Sequence, residues 1–383
     1  MKIAHFCDSH AGRPDGVSRS SALTVALLRG AGHEVVHVRP GPLAGARQPG
    51  QVRSVPVPLR HIRVGLPGRP ASGPVDVVHV HTTGPIGMTG FRLAGRLGVP
   101  LVMTWHTDLL AYADLFPEIP VGAVWCARRL RLGWTAAEFL ELARPGAVRH
   151  RRLVELGRAM VGRMAAVIAP SAKTAAGLAE FGALPEVCVL PTPVAAAPAG
   201  PAGTRQARTV LSVGRVTAEK NPELLLRAFA LVVAARPDAR LVLVGVRQGR
   251  GRLRRCIAAL GLGAHVEVVP PVPHEAVLAH YRAADVLAFA STTDTQSLVL
   301  AEAEAAGTPA VVADPRLAAR PGGTERVTCA PVPAEFAAAL VRMLDDPLLR
   351  ARTAEAGLAA TAAYPPSAYV ARLTALYRRV LST

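Results

Sequence analysis

Short apolar runs alternate with longer amphipathic stretches through the first half of the chain. The apolar runs have the length of buried β-strands and cover Ile3 to Phe6, Val35 to Val38, Val77 to His81 and Leu101 to Trp105. Helical spacing of apolar residues falls between them, from about Ser18 to Gly32 and near Gly90 to Leu97. Strands and helices that alternate in this way form a doubly wound parallel sheet, so we predict a Rossmann-like domain over residues 1–194.

The second half repeats the pattern. Val210 to Val213 and Leu241 to Val244 have strand character, and helical spacing from Glu223 to Ala235 joins them into a βαβ unit. A stretch rich in Pro, Gly and Ala precedes this unit, which predicts a linker over 195–207 and a second Rossmann-like domain over 208–364. Pro365 and Pro366 then begin a terminal segment over 365–383, which we predict to be an amphipathic helix.

Length and composition agree with two domains of this kind. The 383 residues are 50% hydrophobic, which is ample for two cores. No stretch reaches the roughly 18 to 20 apolar residues of a membrane span, and the first apolar run is too short for a signal peptide. The five cysteines are scattered and odd in number, so we expect no disulfide framework, no metal site and a cytoplasmic protein.

One segment of the second half carries the strongest chemical signal. A strand ending near Ser291 leads into a polar loop and then into an apolar helical run, with Asp294 eight residues before Glu302. The start of such a helix offers unpaired N–H groups and a favourable dipole to an anion, while two carboxylates can accept hydrogen bonds from sugar hydroxyls. These features fit a sugar nucleotide. The alternative is that Asp294 is a turn residue and Glu302 a solvated helix position.

Two cations lie in the loop after the first strand of the same domain. Arg215 and Lys220 follow the run Val210 to Val213. Ligands of open parallel sheets bind beyond the carboxyl ends of the strands, where this loop and the Asp294 loop both emerge. Guanidinium and ammonium groups bind phosphate oxygens well, so the pair is a candidate diphosphate clamp, although such loop cations are commonly just solvated.

Two residues of the first half are weaker candidates. Gly16 follows the first strand and opens a helix whose N-cap we expect at Ser18; a glycine there either lets the backbone approach a ligand or is an ordinary turn residue. His106 follows an apolar strand at its carboxyl end. His79 and His81 are one strand period apart and share a face, as core or ligand-lining residues.

Several segments together resemble the GT-B retaining glycosyltransferases of glycosyltransferase family 4. The resemblance rests on VVHVHTTGPIG, WHTD, APSAKTAAGL, GRVTAEKNPELLLRAF and DTQSLVLAEAEAAGTPAVV. These segments occur in both halves, in the order and spacing of the family, and so cover nearly the whole chain. The resemblance implies an α/β GT-B fold, in which two Rossmann-like doubly wound domains face a central cleft and a C-terminal helix crosses back to the first domain.

The resemblance also implies a reaction. It implies metal-independent transfer of a hexose-type sugar from a nucleoside-diphosphate sugar, with a UDP-sugar favoured, to a hydroxyl of a small-molecule or lipid acceptor. Configuration is retained, and the leaving diphosphate assists on the same face. The nucleotide sugar is a co-substrate, and no further cofactor is implied. The implied catalytic residues are His106, Arg215, Lys220 and Asp294, and the implied substrate-binding residues are Gly16, Thr295, Gln296, Ser297, Leu298 and Glu302.

The chain departs from the family pattern at three places. Asp294 stands where Glu is usual, Ser297 precedes the apolar run where many members have Gly, and Pro191, Thr192 and Pro193 stand where many have Pro-Asn-Gly. The shorter acid puts the identity of the sugar in doubt more than the reaction. Two alternatives stay open: a catalytically weakened relative that binds a sugar nucleotide, and a sugar-nucleotide epimerase of the same fold.

The net charge of +17 is the feature least accounted for. Nucleic acid is the weakest candidate partner, because only 4% of the residues are aromatic and no stacking platform is visible. The first domain contains an arginine-rich stretch from Arg128 to Arg158, interleaved with apolar residues as in an interfacial helix. It indicates either peripheral contact with the inner face of an anionic membrane or a solvated basic surface.

Overall fold

The computed structural model describes residues 1–9, 15–42, 50–56, 63–65, 73–194, 208–247 and 249–383. They form two compact units, of which the first comprises Met1–Thr192 with Ser367–Thr383 and the second Pro193–Pro366. The sequence-based domain limits of 1–194 and 208–364 lie close to these. The whole of the expected linker, 195–207, falls outside the described residues.

The first unit is built on an eight-stranded sheet in the described residues, with the strand order β4-β3-β2-β1-β5-β6-β7-β8. The pairings are parallel except that between β3 and β4. Strand β1 pairs with β2 on one side and with β5 on the other. The order in which successive strands are added to the sheet therefore reverses at β1. The strands are β1 (Lys2–Phe6), β2 (Glu34–Gly41), β3 (Gln51–Pro56), β4 (Arg63–Gly65), β5 (Val77–Val80), β6 (Leu101–Thr104), β7 (Ala166–Ala169) and β8 (Glu186–Val189).

Helices cover this sheet and bury its apolar residues. Strands β5, β6 and β7 are buried at every position, which explains why they are short continuous apolar runs rather than alternating ones. The helices are α1 (Gly16–Gly30), α2 (Pro85–Leu97), α3 (Leu109–Leu115), α4 (Glu118–Leu130), α5 (Ala136–Glu141), α6 (Ala147–Val161) and α7 (Ala172–Leu178).

The start of α1 differs from the sequence-based expectation. Asp15 is the N-cap, and its side chain accepts a hydrogen bond from the backbone N–H of Ser18 at 2.7 Å. The predicted N-cap at Ser18 is therefore wrong by three residues. An Asp cap satisfies one of the unpaired N–H groups of the first turn and places its negative charge at the positive end of the helix dipole.

The described residues of the second unit contain a six-stranded parallel sheet with the order β11-β10-β9-β12-β13-β14. Its strands are β9 (Thr209–Val213), β10 (Arg240–Val244), β11 (Val266–Val269), β12 (Val286–Phe289), β13 (Ala310–Val312) and β14 (Val327–Thr328). Its helices are α8 (Pro222–Ala235), α9 (Arg250–Ala259), α10 (His274–Ala283), α11 (Leu298–Ala305), α12 (Pro333–Asp345) and α13 (Pro347–Ala363). The strand order reverses between β9 and β12, which is where a Rossmann sheet binds its ligand.

The last helix, α14 (Pro366–Ser382), packs in the first unit from Ser367 onwards. The Tyr369 hydroxyl lies 2.8 Å from the Thr24 hydroxyl, and the Tyr377 hydroxyl lies 2.6 Å from Nδ1 of His79. Both tyrosines are almost fully buried. Each of the two units thus has the doubly wound α/β architecture that the alternation of patterns predicts. Among the described residues, no helix combines the length and the apolar character needed to cross a membrane.

Candidate functional site

The loop after β9 is shaped by two tight backbone features. A single 3-10 turn covers Ala218–Lys220, and Asn221 follows in the left-handed region with φ of 48°. The Asn221 side chain accepts a hydrogen bond from the N–H of Leu224 at 3.3 Å and so caps α8. The next residue, Pro222, suits the first position of a helix. This sequence places Lys220 at the carboxyl end of the sheet, immediately before the helix.

Lys220 forms an ion pair with Asp294 of the β12–α11 loop. Its Nζ donates to both carboxylate oxygens, at 2.8 and 2.7 Å. Asp294 is 9% exposed, and the Lys220 ammonium lies 5.9 Å from the centroid of the Phe289 ring. Asp294 is therefore more than a turn residue, because it joins the two loops at the point where the strand order reverses.

Arg215 is held in the same loop by a carboxylate that the sequence-based reasoning missed. Its Nη2 donates to Oε1 of Glu219 at 3.1 Å, and the Thr217 hydroxyl donates to the same oxygen at 2.6 Å. Glu219 is 2% exposed, and its carbonyl oxygen accepts from the hydroxyls of Ser291 at 2.6 Å and Thr293 at 3.4 Å. The sequence shows only that Glu219 is an acid next to Lys220. It does not indicate that the Glu219 carboxylate binds Arg215 and Thr217 or that its carbonyl oxygen binds Ser291 and Thr293.

A shallow pocket open to solvent lies over these loops. Its polar lining includes Gly214, Arg215, Lys220 and Ser291, and its apolar wall consists of Leu225, Leu226, Leu243, Val246, Leu253, Phe289 and Val299. A pocket lined by both apolar side chains and the cations Arg215 and Lys220 can offer charge-assisted hydrogen bonds to a phosphate group.

The start of α11 has strained backbone. Ser297 has φ of 64° and ψ of 102°, a conformation that few residues other than glycine adopt. No side chain caps this helix, and Oγ of Ser297 is buried without a hydrogen-bond partner among the described residues. Thr295, Gln296 and Leu298 lie half-buried around it. Ser297, which the family resemblance aligns with a glycine, therefore has a backbone conformation that favours glycine.

Glu302 lies one turn further along α11. It is 2% exposed, and the Tyr281 hydroxyl donates to its Oε2 at 3.1 Å. The alternative of a solvated helix position is therefore wrong. The end of α11 is braced separately, because Glu304 accepts from the buried side chains of Arg320 at 2.7 Å and Arg326 at 2.9 Å.

The two site residues expected in the first half lie in the first unit. Gly16 is the first residue of α1, and a Cβ added there would meet nothing within 4 Å. Residues 10–14, which precede it, are outside the described part of the chain. Close approach of a ligand to Gly16 therefore stays a prediction.

His106 belongs to a row of imidazoles. Its Nε2 lies 3.1 Å from Nδ1 of His81, whose Nε2 lies 2.9 Å from Nδ1 of His5. Burial lowers the pKa of His106 from 6.5 to about 4. Burial, followed by the neighbouring imidazoles, holds the pKa values of His5 and His81 well below 6.5. The three rings are therefore neutral at pH 7.

His79 completes this group, and its environment bears on metal binding. The nitrogen atoms of His5, His79 and His81 come within 4.8 Å of one another. However, the rings of His79 and His81 stack at 4.4 Å with 18° between their planes, so their lone pairs lie in nearly parallel, separate planes. Both nitrogens of His79 already have partners, namely the hydroxyls of Tyr377 and Thr104. The arrangement is that of a hydrogen-bonded stack rather than of ligands converging on one ion.

The arginine-rich stretch forms three helices, α4, α5 and α6, rather than one interfacial helix. Much of its charge is used within the unit. Arg152 pairs with Glu138, Glu141 and Glu155, Arg151 with Glu141, and Arg149 with Asp114. Arg128 and Arg129 lie over the rings of Phe139 and Trp125. These contacts weaken the sequence-based argument for a membrane-binding surface here, because paired guanidinium groups have less charge to offer a lipid headgroup.

Comparison with known proteins gives consistent matches in both units. Residues 14–197 match the family model described as Glycosyltransferase Family 4, and residues 202–359 match that described as Glycosyl transferases group 1. The D-inositol 3-phosphate glycosyltransferase of Thermobispora bispora is 31% identical over 369 residues, covering 91% of this chain and 80% of the relative. That of Kineococcus radiotolerans is 32% identical over 349 residues, covering 83% and 74%.

Solved structures match over nearly the full length. Sucrose-phosphate synthase from Thermosynechococcus elongatus has a TM-score of 0.70 at 20% identity, covering 100% of this chain and 99% of that one. HepE from Anabaena, in complex with UDP and glucose, has a TM-score of 0.67 at 17% identity, covering 99% and 100%. These likenesses confirm the predicted fold class, two Rossmann-like α/β domains of the GT-B type.

Proposed function

The chain belongs to glycosyltransferase family 4 and is a glycosyltransferase, and from this premise we propose that it moves a hexose-type sugar from a UDP-sugar to an acceptor hydroxyl with retention of configuration. The observation that carries the proposal is that Lys220, which lines the pocket of the second unit, is held by an ion pair with Asp294 where the strand order reverses. Arg215 lines the same pocket. A diphosphate seated there would meet two cations.

In the proposed mechanism the protein acts mainly through electrostatics. Lys220 and Arg215 stabilise the negative charge that grows on the β-phosphate as the glycosidic bond breaks. Their present partners, Asp294 and Glu219, hold both cations in place before the donor arrives. Two fixed cations supply the charge that a magnesium ion supplies elsewhere, so we propose that transfer is metal-independent. The departing phosphate then assists removal of the acceptor proton on the same face.

The loop and first turn of α11 provide the remaining donor contacts in this proposal. Glu302 accepts hydrogen bonds from the ribose hydroxyls, and the backbone N–H groups at the helix start, from Thr295 to Leu298, meet phosphate or sugar oxygens. Asp294 contributes one carboxylate oxygen to a sugar hydroxyl while keeping its contact with Lys220. In the first unit, Gly16 allows close approach of the donor phosphates and His106 contacts the transferring sugar.

The acceptor is proposed as a small molecule or lipid that carries negative charge. Two of the relatives are named for D-inositol 3-phosphate, a phosphorylated polyol, and the net charge of +17 favours an anionic acceptor. The enzyme would act in the cytoplasm, and an acceptor in a membrane would require peripheral contact with its anionic inner face.

A second candidate is a weakened relative that binds a sugar nucleotide without transferring its sugar. The observation favouring it is that both Asp294 oxygens engage Lys220, which partly neutralises the cation that a diphosphate needs. Asp294→Glu separates the two cases. In a decayed site the longer acid should restore or raise transfer; in a site matched to its own donor it should lower transfer or change donor preference.

The test is nucleotide release from a panel of UDP-, GDP- and ADP-sugars, with and without D-inositol 3-phosphate and simple polyols. We expect release with a UDP-sugar, accelerated by an acceptor, and near-background release by Lys220→Ala. Binding without release would favour the weakened relative, whereas conversion of the donor to its epimer would indicate the epimerase. If no sugar nucleotide binds, the proposed function is wrong.

A further inference from the structure

The segment that contains β10 and α9 in the second unit is strongly basic. Between Asp238 and Glu267 the chain has six arginines and no acidic residue. Asp238 is itself already paired, with Arg208 at 3.2 Å. Three of the six arginines, the α9 arginines, are exposed on helix α9: Arg252, Arg254 and Arg255. This segment therefore concentrates positive charge that it does not balance with acids of its own.

The α9 arginines differ from the arginines of the first unit in having no partner. Their guanidinium groups make no ion pair, hydrogen bond or ring contact within the part of the chain that the structure describes. Arg152 on α6, by contrast, pairs with three glutamates. The neighbouring helix α8 does not supply the missing acid, because its glutamate, Glu223, is paired with Arg227 at 2.9 Å. The charge of α9 therefore remains free to meet a partner.

Helix α9 can offer such a partner little besides charge. Leu253 and Ile257 are 3% and 7% exposed and pack in the core of the second unit. Arg255 lies about 160° from both of them around the helix axis, with Arg252 and Arg254 on either side of it. Because the apolar side of α9 is already buried, the helix cannot insert its apolar side chains into a membrane or into a groove.

Two classes of partner are recognised by more than charge. Single-stranded nucleic acid stacks its bases on aromatic side chains, and residues 239–266 include no Phe, Tyr or Trp. Protein partners are bound through large anchors, whereas the other exposed residues on the face of the α9 arginines are Gly251, Ala258 and Ala259. An anionic bilayer requires neither feature, because its headgroups form a fluid layer of charge that flexible arginine side chains can reach.

We propose that the α9 arginines bind the second unit to the surface of an anionic phospholipid bilayer. The contact is peripheral, with the guanidinium groups among the headgroups and the helix backbone outside them. Each arginine near such a surface strengthens binding about fivefold, so the three together contribute on the order of 100-fold. The membrane-binding surface is thereby assigned to α9 in the second unit, and not to the arginine-rich stretch of the first unit.

Leu253 connects this surface to the pocket of the second unit. It lines the pocket together with Arg215 and Lys220, while the α9 arginines are exposed on other sides of the same helix. A helix with its side chains is about 10 Å across, so the bilayer contact lies about that far from the pocket wall. A sugar donor in the pocket is then held close to a lipid acceptor. This use of the contact rests on the proposed function, whereas the contact itself does not.

The first test is flotation of the full chain with vesicles made of equal parts of phosphatidylglycerol and phosphatidylcholine, compared with vesicles of phosphatidylcholine alone. In about 0.1 M salt we expect binding to the anionic vesicles only. In about 1 M salt we expect this binding to be lost, because the screening length falls from about 10 Å to about 3 Å. No binding to the anionic vesicles, equal binding to both kinds, or binding that persists at high salt would contradict the proposal.

Variants of α9 locate the contact. Changing all three α9 arginines to Gln should weaken binding to anionic vesicles on the order of 100-fold, and changing all three to Lys should retain most of it, because the charge is kept. A matched control removes the same charge elsewhere and should lose much less; it changes three exposed arginines of other helices to Gln, namely Arg342, Arg352 and Arg378. Equal losses in the α9 Gln variant and the control would attribute binding to net charge alone. Equal losses in the Gln and Lys variants would contradict binding through charge. Either result would overturn the proposal.

Two further measurements separate this contact from other functions. If the α9 Gln variant loses affinity for a short DNA duplex but not for vesicles, the surface serves nucleic acid and the proposal is wrong. Nucleotide release in free solution should be unchanged in the α9 Gln variant, because the α9 arginines do not line the pocket. Vesicle binding without sugar transfer by the wild type would support the contact and refute the proposed function. Sugar transfer without vesicle binding would refute the contact alone.

Discussion

The polar groups at the carboxyl ends of the two sheets differ in how they are kept in place. In the first unit, the row of imidazoles from His5 to the half-buried His106 is uncharged at pH 7, and hydrogen bonds link its neighbouring rings. In the second unit, Lys220 and Asp294 keep opposite charges, with the Lys220 side chain 25% exposed. Both sheets share the reversal of strand order but hold their polar groups differently. Burial keeps the histidines of the first unit neutral, whereas ion pairing in a partly solvated position keeps Lys220 and Asp294 charged in the second.

The largest expected difference is in the response to acid. Burial lowers the pKa of His37 and of His106 to about 4, and those of His5, His79 and His81 lie well below 6.5. The pKa values of these histidines are lower in the folded protein than the unfolded value of 6.5, so the unfolded chain binds protons more readily. The free energy of unfolding is therefore highest above pH 6.5 and decreases as the pH falls towards 4. His37, which is 9% exposed, alone accounts for about 3 kcal/mol, a large part of the stability of one domain.

Tryptophan fluorescence can follow this loss selectively, because Trp105, Trp125 and Trp134 all lie in the first unit. We expect them to report unfolding between pH 6.5 and 4. The histidines of the second unit, His265, His274 and His280, are at least partly exposed, so hydrogen exchange of β9 and β12 should show protection at lower pH. An unchanged tryptophan fluorescence down to pH 4 would contradict the expectation that acid unfolds the first unit before the second.

The next largest effect is expected when Lys220 or Arg215, the cations of the second unit, is removed. Lys220→Ala and Arg215→Ala should each lower turnover by about two to three orders of magnitude, since each cation acts on charge that develops in the transition state. Arg227→Ala is the matched control, because Arg227 is an exposed cation on α8 paired with Glu223. Steady-state kinetics with the active donor measures all three. Near-wild-type turnover in both site variants would refute the clamp.

Glu302 should affect binding more than turnover. The ribose hydroxyls change little during the reaction, so Glu302→Ala should weaken binding of UDP by about 1.5 to 3 kcal/mol, the range for hydrogen bonds to a charged group. Tyr281→Phe, which removes the hydroxyl that donates to Glu302, should have a smaller effect. Calorimetric titration with UDP measures both, with Glu302→Gln as the variant of similar volume. Equal affinity in wild type and Glu302→Ala would rule out this contact.

The smallest expected effect concerns backbone strain at the start of α11. Ser297→Gly should raise the stability of the second unit by about 1 kcal/mol, because glycine adopts this positive φ without strain. Ser297→Ala keeps the strain and removes the same hydroxyl, so it should not stabilise. Thermal unfolding distinguishes the two. A gain in Ser297→Ala as large as in Ser297→Gly would attribute the effect to the buried hydroxyl instead.

Local patterns were sufficient for the sheets but not for all of the site. Continuous apolar runs such as Val77 to Val80 predict buried parallel strands because both faces of those strands are covered. Lys220 and Glu302 were candidates from the loop and helix pattern, the family resemblance implied their roles, and their placement in one unit is observed in the structure. The partners of Glu219 and the link from His5 to His106 could not be predicted, because they depend on which strands become neighbours and on side-chain directions across loops. The N-cap at Asp15 was missed because Asp and Ser are both good caps.

The position of α14 has a consequence for synthesis of the protein. Leu373, Leu376 and Tyr377 are fully buried in the first unit, yet the entire second unit precedes them in the chain. While the ribosome translates residues 193 to 366, the surface that these side chains will cover remains exposed, and the Tyr377 hydroxyl is missing from His79. The first unit, although made first, can be completed only after the second has been synthesised, so the second unit can finish folding while the first still exposes an apolar face.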